Sequence, residues 1–451
     1  MVAITFFADL NYGHNNQKPN IIFILTDDQR WDALGFSGNE IILTPEMDLL
    51  AAQGVYFSHA IVTTPICAAS RASIFTGLYE RTHGYTFNQG PLQEKFWQIS
   101  YPKLFQKNGY YTGFYGKFGV TYPGAEDDFD QAEIYGRNNQ FNDRRGYFYK
   151  KIGEDTVHLT RYTGQQALDF ISEVPQNQPF CLSVSFSAPH AHDPAEEQYF
   201  WQSDLDHLYP GQIPAPVMED EQYFEQLPGP VKAGLNRQRW YWRFDTPEKY
   251  QHSVKGYYRM ITGIDREIGK IRNMLQQKGM ADNTVIILMG DNGYYLGERQ
   301  LAGKWLMHDN SIRVPLIIYD PRHAKHHTVD DLVLNIDVPF TMLSLAAIEV
   351  PKAYQGISLL PYLDVGKHEA KRNQVLVEHL WDFDKIPSSE GIRSERWKYF
   401  RYRLIDAPEE LYDLQNDPLE TNNLAFDPKY ESVLNDLKNT LKLKIETYEK
   451  H

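Results

Sequence analysis

Residues 64–77, TPICAASRASIFTG, place Cys67 four positions ahead of Arg71. If this segment is helical, both side chains lie on one face, and Pro65 favours a helix that starts close to the cysteine. Cys67 would then sit in the first turn, where unpaired N–H groups and the helix dipole favour negative charge. A nucleophile beside a permanently charged, fork-shaped guanidinium suits attack on an anionic ester. The plainer reading is that a lone cysteine in a helix is a small buried hydrophobe. Two acidic pairs weigh against it. Asp27-Asp28 and Asp291-Asn292 each follow a continuous apolar run. Together they offer hard oxygen ligands suited to calcium or magnesium rather than zinc. Alone, either pair would serve as a solvated turn or a helix cap; several buried carboxylates without a cation would be costly.

These residues need elements that bring them together. NIIFILT, GYYTGFYG, FCLSVSF and TVIILMG read as strands buried on both faces. Helical patterns alternate with them, near residues 45–53, 101–108, 158–174 and 252–280, and VYFSHA reads as a further strand. The alternation predicts an α/β fold, a mostly parallel central sheet with helices on both faces. Asp27, Asp28, Lys117, His190, Asp291 and Asn292 all fall just after strands, and in open α/β sheets the ligand crevice lies outside the strands' carboxyl ends. Beyond about residue 366 the pattern changes to strands such as NQVLVEHLW and RWKYFRYR followed by a charged helix. The expected division is a catalytic α/β domain over 18–365 and a C-terminal subdomain with an antiparallel sheet over 366–451.

Composition narrows the function. A formal charge of −14 in 451 residues argues against a surface that holds nucleic acid, so an anionic ligand needs a local basic pocket. Two cysteines, Cys67 and Cys181, give no disulfide framework, although one bond between them stays open. No run reaches the roughly 20 apolar residues that span a bilayer. The opening MVAITFFADLNYGHNNQKPN has neither a basic start nor a cleavage site of the secretory kind.

Taken in order, KPNIIFILTDDQRWDALG, TPICAASRASIFTG, the Gly116-Lys117 pair, SAPH, GDNGYYLGE, GKWLMHDNSIRVPLIIYDP and LYDLQNDPLETNNLA resemble the ordered blocks of type I sulfatases of the alkaline-phosphatase-like superfamily. The resemblance runs from residue 18 to about 425. It implies a sulfuric ester hydrolase in which a maturation enzyme oxidises Cys67 to formylglycine. Asp27, Asp28, Asp291 and Asn292 would bind a calcium ion, with residue 67 completing the site. Arg71 would steady the hydrated aldehyde, Lys117 and Lys304 would hold sulfate oxygens, and His190 would protonate the leaving alcohol.

Two positions depart from the family pattern. Ala69 stands where Cys-x-Pro-x-Arg has proline, and Gly119 stands where Gly-Lys-x-His has histidine. His83, His192 and His308 are the candidates to replace the missing base. His308 would share a face with Lys304 if that stretch were helical, and His192 follows His190 by two. Trp201, Trp240, Trp242 and Arg243, in the long segment between SAPH and the helix near 252, would line a saccharide subsite, the alternative being a packed surface loop. Bacterial sulfatases of polysaccharides such as ulvan or glycosaminoglycans look most similar, which implies a sulfated carbohydrate substrate and a periplasmic or secreted monomer or homodimer. A phosphate or phosphonate ester hydrolase of the same superfamily and a non-catalytic binder of sulfated glycans are the competing readings.

Overall fold

The structure, a computed structural model, describes residues 18–87, 90–135, 148–193, 195–323, 326–364 and 372–449. Most of the opening segment and the expected boundary at 365/366 lie outside them.

The expected α/β sheet is present, with eight strands in the order 327–329, 55–57, 316–319, 284–290, 20–26, 180–185, 111–116 and 131–134. Its centre is parallel. Asn20–Thr26 pairs in parallel with Thr284–Gly290 on one side and Phe180–Ser185 on the other, and Tyr111–Gly116 joins in parallel beyond. Leu316–Tyr319 runs antiparallel to both of its neighbours. The stretch expected as one strand at VYFSHA divides into Val55–Phe57 and Ala60–Ile61, the second belonging to a separate three-stranded sheet.

Continuous apolar runs form these strands because both faces are covered. Ile21, Phe23, Leu25, Val285 and Ile287 face one core; Ile22, Ile24, Ile286 and Leu288 face the other. The second core is roofed by the helix Leu159–Glu173 and the long helix Pro247–Gln277. The first holds the helices Cys67–Thr76, Tyr101–Lys107 and Asp337–Leu345. A four-stranded antiparallel sheet, 374–379, 389–394, 397–402 and 410–413, follows, with the helix Glu431–Tyr448 against it through Leu434, Leu437 and Leu441. Its Val375, Tyr399 and Leu411 belong to the same core as Ile74 and Phe75 of the cysteine helix. Among the described residues no helix is long and apolar enough to cross a membrane.

Strand register positions the site. Thr26 is level with Gly290, and Leu25 with Ser185, which is level with Gly116. The next residues, Asp27, Asp291, Phe186 and Lys117, therefore leave the sheet side by side.

Candidate active site

The cysteine helix begins at Cys67, and all ten of its residues are buried. It ends on Gly77, whose left-handed conformation (φ 68°) lets its N–H donate to the Ser73 carbonyl. Its first turns press against the carboxyl end of the 284–290 strand: the Ser70 hydroxyl donates to the Asp291 carbonyl, and Arg71 Nε donates to Asp291 Oδ2 at 2.8 Å. Arg71 Nη1 donates to the Lys117 carbonyl and to Ser185 Oγ, both at 2.6 Å. The guanidinium thus ties three strand ends to the helix. Burial opposes its charge, but the facing Asp291 and Asp27 raise its pKa above the ordinary arginine value.

Around it the structure brings together the dispersed residues. Lys117 Nζ donates to Asp27, Lys304 Nζ and Asn292 Nδ2 both donate to Asp28, and the Asp28 N–H donates to Asp291 Oδ1 at 3.1 Å. Burial alone would lower Lys304, but Asp28, Cys67, Asp27 and Asp291 hold it above the usual lysine value. Asp28 takes φ 66°, a left-handed conformation uncommon for a side-chain-bearing residue and tolerated best by Asp and Asn. Such strain concentrates at functional sites.

Several buried atoms lack a hydrogen-bond partner among the described residues: Asp27 Oδ1, Asp28 Oδ2, Asn292 Oδ1 and Arg71 Nη2. Three of the four are hard oxygens. Buried acceptors left in this state cost free energy unless a donor or cation meets them, so the donor set fits a hard divalent cation. Asp27, Asp28 and His190 also offer ligand atoms within 4.8 Å of one another. His190 Nε2 lies 3.6 Å from Asp28 Oδ2, and its Nδ1 contacts the Ala191 carbonyl, which assigns a proton to Nδ1. Burial, then Lys304, Lys117 and Arg239, push its pKa well down. Nε2 is thus the ring atom on the side of Asp28.

Other expectations need correction. The Lys304–His308 stretch is not helical, and the two side chains part. His308 has no exposed surface: its Nδ1 meets the Tyr295 hydroxyl at 2.6 Å, its Nε2 lies 3.5 Å from Glu410, and Phe400 and Tyr412 close over the ring. It has no face for a substrate or for a base's work. His83 is equally occupied. Its Nδ1 accepts from the Tyr85 N–H and its Nε2 meets Ser73 Oγ, while burial lowers its pKa to about 3. Arg243 is 1% exposed and spends its guanidinium on Gln198, Tyr294 and Asp193, so it braces the loop instead of lining a subsite. Trp201 carries Arg259 on its ring and donates from Nε1 to Asp206. Trp242 is half-buried on the helix Leu235–Arg243, Trp240 packs against the second core, and His192 is half-buried with its ring near Phe200. The segment, whose alternative reading is a packed surface loop, contains the helices Glu221–Glu225, Gly229–Lys232 and Leu235–Arg243. Cys67 and Cys181 are both free, and burial raises the Cys181 thiol, leaving it the inert, packed cysteine.

One residue of this neighbourhood escaped the sequence reading. Arg239, one turn before Arg243, lies over the ring of Trp305, the residue after Lys304, at 4.3 Å, and donates to Asp193, three residues after His190. Nothing in its local sequence distinguishes it from the arginines beside it.

Two cavities of about 630 and 780 Å³ lie elsewhere, sharing the Ile213–Pro216 stretch and Tyr250. Neither is lined by the carboxylate cluster, and the larger, with Glu219, Asp220, Glu221 and Asp245 and no basic side chain in its lining, is unsuited to an anionic ester.

The family model described as Sulfatase matches residues 19–348, and one for the C-terminal part of N-sulphoglucosamine sulphohydrolase matches 297–447. A choline-sulfatase of Rhizobium meliloti is 30% identical over 91% of this chain and 83% of that protein. An N-acetylglucosamine-6-O-sulfatase of Bacteroides thetaiotaomicron is 26% identical over 92% and 84%. Among solved structures, one in complex with D-glucosamine-2-N,6-O-disulfate superposes with a TM-score of 0.77 at 24% identity, over 96% of this chain and 99% of that one. A phosphonate monoester hydrolase of Agrobacterium radiobacter superposes equally well, TM-score 0.77 at 22% identity over 96% of each chain, so the fold alone does not select the reaction.

Proposed function

The chain belongs to the sulfatase family and is a sulfuric ester hydrolase; from that premise we propose that it removes sulfate from a carbohydrate ester, with residue 67 as the formylglycine nucleophile and calcium as the cation. The observation that carries the reading is the Cys67 helix start beside Arg71, Lys117 and Lys304, next to buried oxygens without partners.

Asp27, Asp28, Asp291 and Asn292 would hold calcium, which would withdraw charge from the sulfate oxygens as the bond to the leaving alcohol breaks. Oxidised by a maturation enzyme, residue 67 would supply an aldehyde hydrate whose hydroxyl can attack sulfur. The rest of the work falls to side chains. Arg71, immobilised by three contacts, orients residue 67 at the helix N-terminus and keeps positive charge beside it. Lys117 and Lys304 bind sulfate oxygens, a task suited to compact ammonium groups with three donors each. His190 Nε2 would give the proton that the leaving oxygen needs to depart as an alcohol. The sugar assignment is supported by the N-acetylglucosamine-6-O-sulfatase among the relatives, and an extracellular sulfatase among them supports action outside the cytoplasm.

The test is the mass of the peptide holding residue 67, together with sulfate release from sulfated oligosaccharides and aryl sulfates by the parent and by Cys67→Ser. Formylglycine with release that Cys67→Ser abolishes is the expected result. Faster turnover of phosphonate or phosphate esters than of any sulfate ester would overturn the sulfate assignment.

A further inference from the structure

Arg239 enters the site on the helix Leu235–Arg243, which is fastened to the loop carrying Lys304. Asn236 Nδ2 donates to the carbonyls of Ala302 and Lys304 at 3.0 and 2.9 Å. The approach is close: a Cβ on Gly303, which takes φ 103°, would come within 3.0 Å of Arg239 Nη1. Asp193, three residues after His190, accepts from both Arg239 and Arg243. Two guanidinium groups thus share one carboxylate, leaving one positive charge in excess.

Trp305 forms the floor beneath Arg239. It is held at φ 84°, packs on Ile66 and Ala69 either side of Cys67, and its backbone N–H donates to the Pro65 carbonyl. A side-chain-bearing residue seldom keeps that conformation unless its surroundings impose it. Arg239 and Trp305 are 8% and 4% exposed, yet Arg239 Nε and Trp305 Nε1 find no acceptor among the described residues. Two buried N–H donors, one on a cation, are costly without an acceptor, and an arginine seated on an indole is already fixed in place to meet one.

We propose that Arg239, seated on Trp305 and held by Asp193, receives a second anionic group of the substrate, a carboxylate or a second sulfate on the sugar that bears the scissile ester. The inference rests on the sulfate-ester reading above and narrows its substrate class to dianionic sugars. Lys117 and Lys304 serve the transferred sulfate, and Arg239 serves the part of the molecule that departs with the alcohol.

The experiment compares kcat and KM of the parent, Arg239→Met and Arg239→Lys on four probes: 4-nitrophenyl sulfate, a monosulfated hexosamine, its disulfated counterpart and a sulfated uronic acid. The parent is expected to favour one of the dianionic sugars, and which one tells sulfate from carboxylate. In Arg239→Met, kcat/KM on that sugar falls by about 30-fold or more relative to its fall on the monosulfated sugar, mostly through KM, and Arg239→Lys lies between. Equal losses on all four probes would reduce Arg239 to a structural brace and overturn the proposal, as would a parent that prefers monosulfated sugar. Should Arg239→Met not fold, Arg239→Lys alone decides by the same ratio. A parent inactive on every sulfate, 4-nitrophenyl sulfate included, would sink the sulfate reading itself.

Discussion

Restoring the histidine that the family resemblance calls for at position 119 is expected to harm this enzyme. Gly119 takes φ 74°, and a Cβ there would lie 2.6 Å from Arg71 Cδ. Arg71 cannot swing aside, since Asp291, the Lys117 carbonyl and Ser185 fix its far end. A residue bearing Cβ costs about 1–2 kcal/mol in the left-handed region, and forcing atoms into a filled site costs a further ~1–3 kcal/mol. The expected loss for Gly119→Ala is therefore about 2–5 kcal/mol, roughly 2–5 °C of Tm at the ~1 °C per kcal/mol of a chain this long. Turnover suffers more, because the collision displaces the guanidinium beside Cys67, and misplacement of about 1 Å can cost ~10²-fold. Gly119→His carries the same collision and should fall with Gly119→Ala. Calorimetry and kcat/KM on an aryl sulfate test this directly. A Gly119→His variant as stable as the parent and at least as active would refute the reasoning and show that position 119 has room for a base.

Three further outcomes are expected. Calcium should raise the Tm of the parent with a concentration dependence that reaches about 2.7 kcal/mol at a hundredfold excess over Kd; a shift undiminished in Asp27→Asn and Asp291→Asn would place the ion elsewhere. His190→Gln should lower turnover of alkyl sulfates by about 10²–10⁴-fold and of aryl sulfates, whose leaving oxygen needs less help, by clearly less. Equal losses on the two would remove His190 from leaving-group protonation. Glu80 is pushed up to about 8 by burial and by Glu378. A carboxyl whose folded pKa exceeds its ordinary 4.5 binds more protons folded than unfolded, so the parent loses stability as pH rises from about 4.5 to about 8, by at most about 5 kcal/mol. Glu80→Gln, which keeps an acceptor for Thr64 and the Leu380 N–H, should flatten that decline in thermal melts; an unchanged slope would assign it to other groups.

The parts of this site legible in the sequence are those that a strand end dictates. Asp27, Lys117 and Asp291 could be read because continuous apolar runs of similar length precede them, and parallel register then has one arrangement that buries both faces. Arg71 was legible from helical spacing to Cys67. What stayed hidden depends on contacts between segments far apart. His308 looked available because its four-residue offset from Lys304 suits a helix, yet the chain there bends through Trp305 at φ 84° and turns the imidazole into the Tyr295–Glu410 pocket. Arg243 and Arg239 share a helix face and both reach Asp193, but Tyr294 and Gln198, distant in sequence, decide that Arg243 is wholly engaged.

That division between strand ends and connecting segments bears on how specificity is built. The carboxylates and Arg71 are fixed by hydrogen-bonded register and by a helix buried along its whole length, so a change in the substrate-facing loops need not move them. Residues 187–246, by contrast, reach the site through a few side-chain clamps: Asp193 to Arg239 and Arg243, Arg243 to Tyr294, and Asn236 to the Lys304 loop. Replacing Asp193 with Asn would leave two buried guanidinium groups facing each other without their shared carboxylate, a loss of roughly 3–5 kcal/mol if the segment stays closed. Partial opening of the segment relieves that cost, so the Tm should fall by less than the unrelieved figure requires while KM for the sugar rises. Tryptic cutting should then begin at Arg237 or Arg239 in Asp193→Asn before the global melt. Cleavage that begins instead in the Cys67 helix would mean that the two parts are not mechanically separate, and that the clamps support the reaction centre itself.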